Sequence, residues 1–269
     1  MGLTLSAKEC YSITQKNRVL IGLRNSYARQ VTGLVYARLD TFFIMDDRQQ
    51  QLLQFIIEEY IVTAEPVGSS FVTKKGVLDV SAATIRNEMR DLEEAGYLMH
   101  PHTSAGRVPT DKGFQYYVDT IMKPESASRM IQKKIQEAVS SGTDVREQIK
   151  HVAKATAEYL ESSVIVAFNP TSVYYTGISY LFAQPEFRDS AYTVHISKIF
   201  DHCEDNLTDM YRLIGQGQTE VLIGEQNPFG SSCGLVGTRV GETLFTVLAP
   251  IRMDYAKAVG LLTYINSTK

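Results

Sequence analysis

Apolar side chains crowd the stretch from residue 52 to 61, where Leu52, Leu53, Phe55, Ile56, Ile57, Tyr60 and Ile61 predict a largely buried helix. Glu65-Pro66-Val67-Gly68 breaks it. Ser69 to Lys75 reads as a short second helix closed by Gly76. Ala82, Ile85, Met89, Leu92 and Gly96 then recur every three or four residues, which predicts a third helix with an inward stripe. Ser81 is placed as its N-cap, with Thr84 in the first turn. Gly96 stops it, and Tyr97-Leu98-Met99-His100 reads as extended. Pro101 to Pro109 holds two prolines, a glycine, small hydroxylated residues and Arg107, a composition that suits an exposed hairpin loop. Thr110 then caps another helix that runs through Asp119.

Helix, short helix, turn, helix, hairpin is the order of a winged helix-turn-helix. The outer side of the third helix carries Ala83, Arg86, Asn87 and Arg90. Arg pairs bidentately with guanine, Asn with adenine, and alanine can touch a thymine methyl. These residues, with Ser81 and Thr84 close by, are the candidates for a major-groove interface. Ser69, Ser70, Lys74 and Lys75 are placed to grip phosphates. In the hairpin, His102, Thr103, Ser104 and Arg107 are candidates for phosphate or minor-groove contact. The same pattern fits an ordinary amphipathic surface helix, or a winged helix that contacts a protein partner.

Beyond Met122 the organisation is looser. Pro124 and Glu125-Ser126-Ala127-Ser128 mark a linker or helix start. Met130–Val139 and Val145–Leu160 read as amphipathic helices that either pair with each other or supply a dimer seam. Strands are predicted at Ser163–Phe168, Val173–Ile178, Glu220–Ile223, Gly234–Arg239 and Thr243–Leu248, with Gly241-Glu242 as a hairpin turn. Tyr192–Cys203 is ambiguous, because Tyr-Thr-Val-His-Ile alternates like a strand. Tyr255–Ile265 closes the chain as a helix on the sheet.

No catalytic constellation emerges, so no enzyme activity and no cofactor are expected. His100 and His102 have a spacing that can chelate a metal, but no Cys or acid cluster accompanies them. His202-Cys203 have no third partner nearby in sequence. Glu225, Asn227, Arg252 and Asp254 can line a ligand pocket, and a structural ion pair of Arg252 with an acid is the alternative.

The segments from Pro66 to Ser69, Ser81 to Met89, Leu92-Glu93, Gly96 to Leu98, Pro101 to Thr110 and Tyr117 to Asp119 together resemble the bacterial heat-inducible transcription repressor family HrcA. The resemblance runs nearly unbroken from about Leu52 to Met122. A second stretch adds Gly177 to Leu181, Gln184 to Phe187, Ile223 to Glu225, Asn227 and Ala249 to Tyr255. The resemblance implies an α+β chain, with an N-terminal winged helix-turn-helix at 45–123, linker helices at 124–162 and a GAF-like domain at 163–269 built on an antiparallel sheet. It also implies a dimeric repressor of chaperone genes on an inverted-repeat operator, modulated by the GroEL chaperonin. For Tyr192–Cys203 it implies a helix. The chain departs from the family twice. Only Asn169-Pro170-Thr171-Ser172 separates two strands where the family has a long inserted dimerisation segment, so the GAF-like domain is expected to be reduced and the homodimer weakened. Residues 1–44 have no counterpart.

Composition adds bounds. The 269 residues suggest about two domains, and the 44% hydrophobic content suffices for real cores. No stretch approaches a membrane span. Cys10, Cys203 and Cys233 lie far apart, with no disulfide framework or metal-type spacing, which points to a reducing bacterial cytoplasm. The net charge is −3, and residues 45–123 hold eight Lys/Arg against twelve Asp/Glu. DNA binding must therefore rest on local asymmetry, with Lys74, Lys75, Arg86, Arg90, Arg107 and Lys112 on one side. Residues 1–44 carry six Lys/Arg and two acids. A transit peptide or a basic arm has that composition, but Met45-Asp46-Asp47-Arg48 lies where the family's chains begin. An upstream start site is the expected origin of residues 1–44. A small-molecule sensor and a protein-interaction module remain the alternatives to a repressor.

Overall fold

The computed structural model describes residues 45–101 and 106–268. The expectations placed on residues 1–44 and on His102, Thr103 and Ser104 lie outside that range. Helix α1 spans Asp47–Thr63. Asp46 starts it with a reciprocal cap: its carboxylate accepts from Gln49 N at 2.7 Å, and the Gln49 side chain accepts from Asp46 N at 3.2 Å. Helix α2 spans Ser69–Lys75 and ends on Gly76, whose φ of 67° lets the chain reverse without a Cβ clash. Helix α3, Ala82–Glu94, follows its predicted cap, with Ser81 Oγ accepting from Thr84 N at 3.2 Å. Strands β1, Leu98–Met99, and β2, Val108–Pro109, pair antiparallel. Thr110 caps α4, Asp111–Tyr116, which runs on as a π-helical turn, Tyr117–Ile121. Leu52, Leu53, Ile56, Ile57, Val72, Ile85, Leu92, Leu98 and Phe114 are buried within these elements.

Helices α5, Arg129–Ser141, and α6, Val145–Leu160, pack against each other, which is the first of the two arrangements their stripes allowed. Five antiparallel strands follow: β3 Ser163–Asn169, β4 Ser172–Thr176, β5 Thr219–Leu222, β6 Cys233–Val240 and β7 Thr243–Pro250, in the order β4-β3-β7-β6-β5. Short helix α7, Ile178–Phe182, leads to α8, Ser190–Asp201, and α9, Leu207–Leu213. Ile165, Ala167, Leu235, Leu244 and Leu248 share one core with Leu181, Ile196, Ile199, Leu207 and Met210 of these helices. The alternate residues Val164, Val166, Val236 and Val247 are also buried, and α6 and the last helix α10, Tyr255–Ser267, pack on the sheet. Helices on both faces explain why β3 reads as a continuous apolar run rather than an alternation. No described helix is long and apolar enough to cross a membrane.

Two expectations change. The strand predicted at Val173–Ile178 stops at Thr176. Gly177 turns the chain at φ 77°, packed so closely on the Ser162 carbonyl that a Cβ would collide with it, and Ile178 begins α7. The alternating Tyr192–Cys203 segment is helical through Asp201. Asp189 caps it by accepting from Ala191 N and Tyr192 N, and Ile196 and Ile199 enter the core at helical spacing.

Residues Met45–Lys269 form one unit. The Phe114 and Tyr255 rings lie 6.0 Å apart, and Glu125 N donates to Ala256 O at 2.9 Å. These contacts seat α4 and the chain after it on the start of α10.

Candidate nucleic-acid interface

Helix α3 presents two unlike faces. Ile85, Met89 and Leu92 are buried, while Ala83, Arg86, Asn87 and Arg90 are exposed. Arg86 and Asn87 have no hydrogen-bond or ion-pair partner among the described residues. Arg90 is held loosely, 3.8 Å from Glu94 and 3.9 Å from Asp91 across solvent-exposed positions. The cap that starts α3 also engages Thr84, whose hydroxyl lies 3.0 Å from Ser81 Oγ. Ser81→Ala should therefore lower folding stability by ~1 kcal/mol, read as a lower urea midpoint with an unchanged denaturant slope. An unchanged midpoint would show that solvent caps α3 equally well.

Glu88 was not singled out by periodicity, yet it is buried in the inward stripe and ion-pairs with Arg48 of α1. The signal was its position, three residues after Ile85. An acid at such a position calls for a basic partner.

The phosphate-gripping set is divided by the fold. Ser70 and Lys74 are exposed on α2. Ser69 is buried at the first position of that helix, which withdraws it from the surface. Lys75 lies 3.6 Å from Glu59 and 5.2 Å from the centre of the Phe71 ring. Lys112 does not project freely either: it donates to Ala95 O at 2.8 Å, over the Tyr97 ring. Arg107 is drawn inward. Its side chain is 13% exposed and its Nη2 lies 2.8 Å from Glu93 Oε2, while its backbone pairs in both directions with Val67.

Glu225, Asn227, Arg252 and Asp254 do not assemble as one pocket. Arg252 and Asp254 border a cavity of 240 Å³ whose lining does not include Glu225 or Asn227. Arg252 is fully engaged: it makes a two-toothed ion pair with Glu186 and donates to Gln184 Oε1 at 2.7 Å and to Ile61 O at 3.0 Å. This is the structural ion pair, and it joins α1 to the sheet-bearing half. Asp254 caps α10 by accepting from Lys257 N at 3.0 Å. Asn227 is buried, donating to Cys233 O at 2.7 Å and accepting from Phe229 N at 3.0 Å. Glu225 is exposed, and its charge adds to the desolvation that already raises the Asp111 carboxyl above its usual range. Burial, then the Glu186 carboxylate, raises the Tyr60 phenol beside the same joint. Among the described residues no cluster of His, Cys, Asp and Glu is arranged to hold a metal ion.

Residues 121–259, just over half of the 269-residue chain, match the family model described as the HrcA protein C-terminal domain. The chain belongs to the HrcA family. A heat-inducible transcription repressor HrcA from Pelotomaculum thermopropionicum is 59% identical over 85 residues, which are 32% of this chain and 24% of that protein. Its namesake from Brevibacillus brevis is 33% identical over 184 residues, covering 68% of this chain and 53% of the relative. The chain thus spans about a quarter to about half the length of these curated HrcA relatives. The relatives' name describes a regulator rather than an enzyme. A crystal structure of a hypothetical protein superposes with a TM-score of 0.64 at 18% identity, over 83% of this chain and 97% of that one, a likeness of fold. HrcA membership places the exposed row on α3 in a family whose named members are repressors, and that row is this chain's freest polar surface on its helices before the hairpin.

Proposed function

We propose that this chain is a sequence-specific DNA-binding repressor of heat-shock genes, working in the bacterial cytoplasm on an inverted-repeat operator. In this reading residues 45–123 are a winged helix-turn-helix and residues 163–269 a reduced GAF-like domain, joined by helices within 124–162. The observation that carries it is the unpartnered Arg86–Asn87 pair on a capped helix whose other face is buried. Such a helix enters the major groove with its early turns near base edges. Arg86, Asn87 and Arg90 read bases, with Ser81, Ala83 and Thr84 beside them, and Ser70, Lys74 and Lys75 contact phosphates. Few free cations remain, so the phosphate contribution is small and specificity rests on base contacts and on two half-sites. The family resemblance adds a homodimer on the palindrome and modulation by the GroEL chaperonin.

The test is selection of duplexes from a randomised pool by the full chain. The expected product is an inverted repeat with half-sites one or more helical turns apart, bound with affinity that falls as salt rises. Recovery of unrelated sequences bound no better than the starting pool would end the repressor reading.

A further inference from the structure

The base of the hairpin carries a polar cluster that base reading does not use. Glu93, in the last turn of α3, places Oε2 2.8 Å from Arg107 Nη2 and Oε1 2.6 Å from His100 Nδ1. His100 Nε2 in turn meets Arg107 Nη1. The three side chains therefore close a ring: Nδ1–H of a neutral imidazole donates to Glu93, and Nε2 accepts from the guanidinium. His100 directly follows β1 and Arg107 directly precedes β2, so the ring ties both arms of the hairpin to one carboxylate of α3. A second fixed point supports it. Arg107 N and O both pair with Val67 at 2.9 Å, and Gly106 sits so close to the Val67 backbone that no Cβ fits.

We infer that Glu93 is a positioning residue for DNA binding: through Arg107 and His100 it sets the angle of the hairpin against the reading helix. An acid in this place looks adverse to DNA binding. Its carboxylate is, however, turned onto two basic side chains of the chain itself, and its side chain is 29% exposed. Arg107 then acts as the strut of the clamp and not as a phosphate contact. The inference rests on the DNA-binding reading above.

The experiment uses the full chain, a duplex it selects from a randomised pool, and a scrambled duplex. Glu93→Gln and Arg107→Gln should each weaken binding to the selected duplex about tenfold, with folded-state spectra retained. The double variant should be no worse than either single one, and Arg107→Gln should leave the salt slope unchanged. Glu93→Arg combined with Arg107→Glu should recover much of the loss. If Arg107 is instead a phosphate contact masked by Glu93, Glu93→Gln will tighten binding and Arg107→Gln will flatten the salt slope by about one. That result overturns the clamp. Normal binding by both single variants, while Arg86→Ala weakens it, also overturns the clamp and leaves the DNA reading intact. Arg86→Ala without effect on either duplex removes the reading, and the clamp with it.

Discussion

Arg252→Ala should lower the stability of the 45–269 unit by about 3 kcal/mol, the scale of removing one partner from a desolvated ion pair. The guanidinium is 10% exposed and the carboxylate of Glu186 24% exposed, so water substitutes poorly for the missing side chain. The variant leaves three acceptors without their donor: the Glu186 carboxylate, Gln184 Oε1 and the Ile61 carbonyl near the end of α1. For a unit of this size the melting temperature should fall by about 6–12 °C. Arg252→Lys should recover only part of that, because an ammonium keeps the charge but not the planar fork that meets Glu186 and Ile61 together. Thermal and urea denaturation of both variants decide the matter. A melting point equal to that of the parent chain would show that the joint is held by the Phe114–Tyr255 contact alone.

Replacing Arg86 with alanine should weaken binding to the selected duplex by about 1–3 kcal/mol and relax preference at one base pair. Asn87→Ala should do the same at a neighbouring pair. On a scrambled duplex both variants should bind nearly as the parent does, because these side chains meet no matching base edge there. Lys74→Ala should behave differently, weakening both duplexes alike and reducing the salt slope by about one. Both α3 side chains are exposed and lack internal partners, so folding should be unaffected and weaker binding can be read as impaired recognition. Equal losses on selected and scrambled DNA would reduce α3 to a phosphate-binding helix.

The features legible in the sequence are those closed within a few residues. Ser81 and Thr110 cap their helices through the backbone N–H three positions on, so composition and order alone predict them. Gly76 and Gly96 end α2 and α3 because only their left-handed backbone allows the reversal there. The periodic stripe of α3 likewise separates its buried from its exposed residues without help from the rest of the chain. Alternation misled at Tyr192–Cys203, because five residues can satisfy both periods. There Asp189 and the core positions of Ile196 and Ile199 decided for helix.

What the sequence could not assign is where each cation goes. Arg86 and Arg107 are chemically the same residue, and both sit near predicted DNA-facing elements. Only packing separates them: Arg86 projects from the outer face of α3, whereas pairing with Val67 turns Arg107 onto Glu93, fourteen positions away. Arg252 and Glu186 meet across 66 positions, and Arg252 and Ile61 across 191. A charge in the unfolded chain has water as its partner; on folding, it must take whatever acceptor the tertiary contacts bring within reach. The sequence by itself determined the helices, their caps and the reading face of α3. The tertiary structure alone decided which polar groups are left free to recognise anything else.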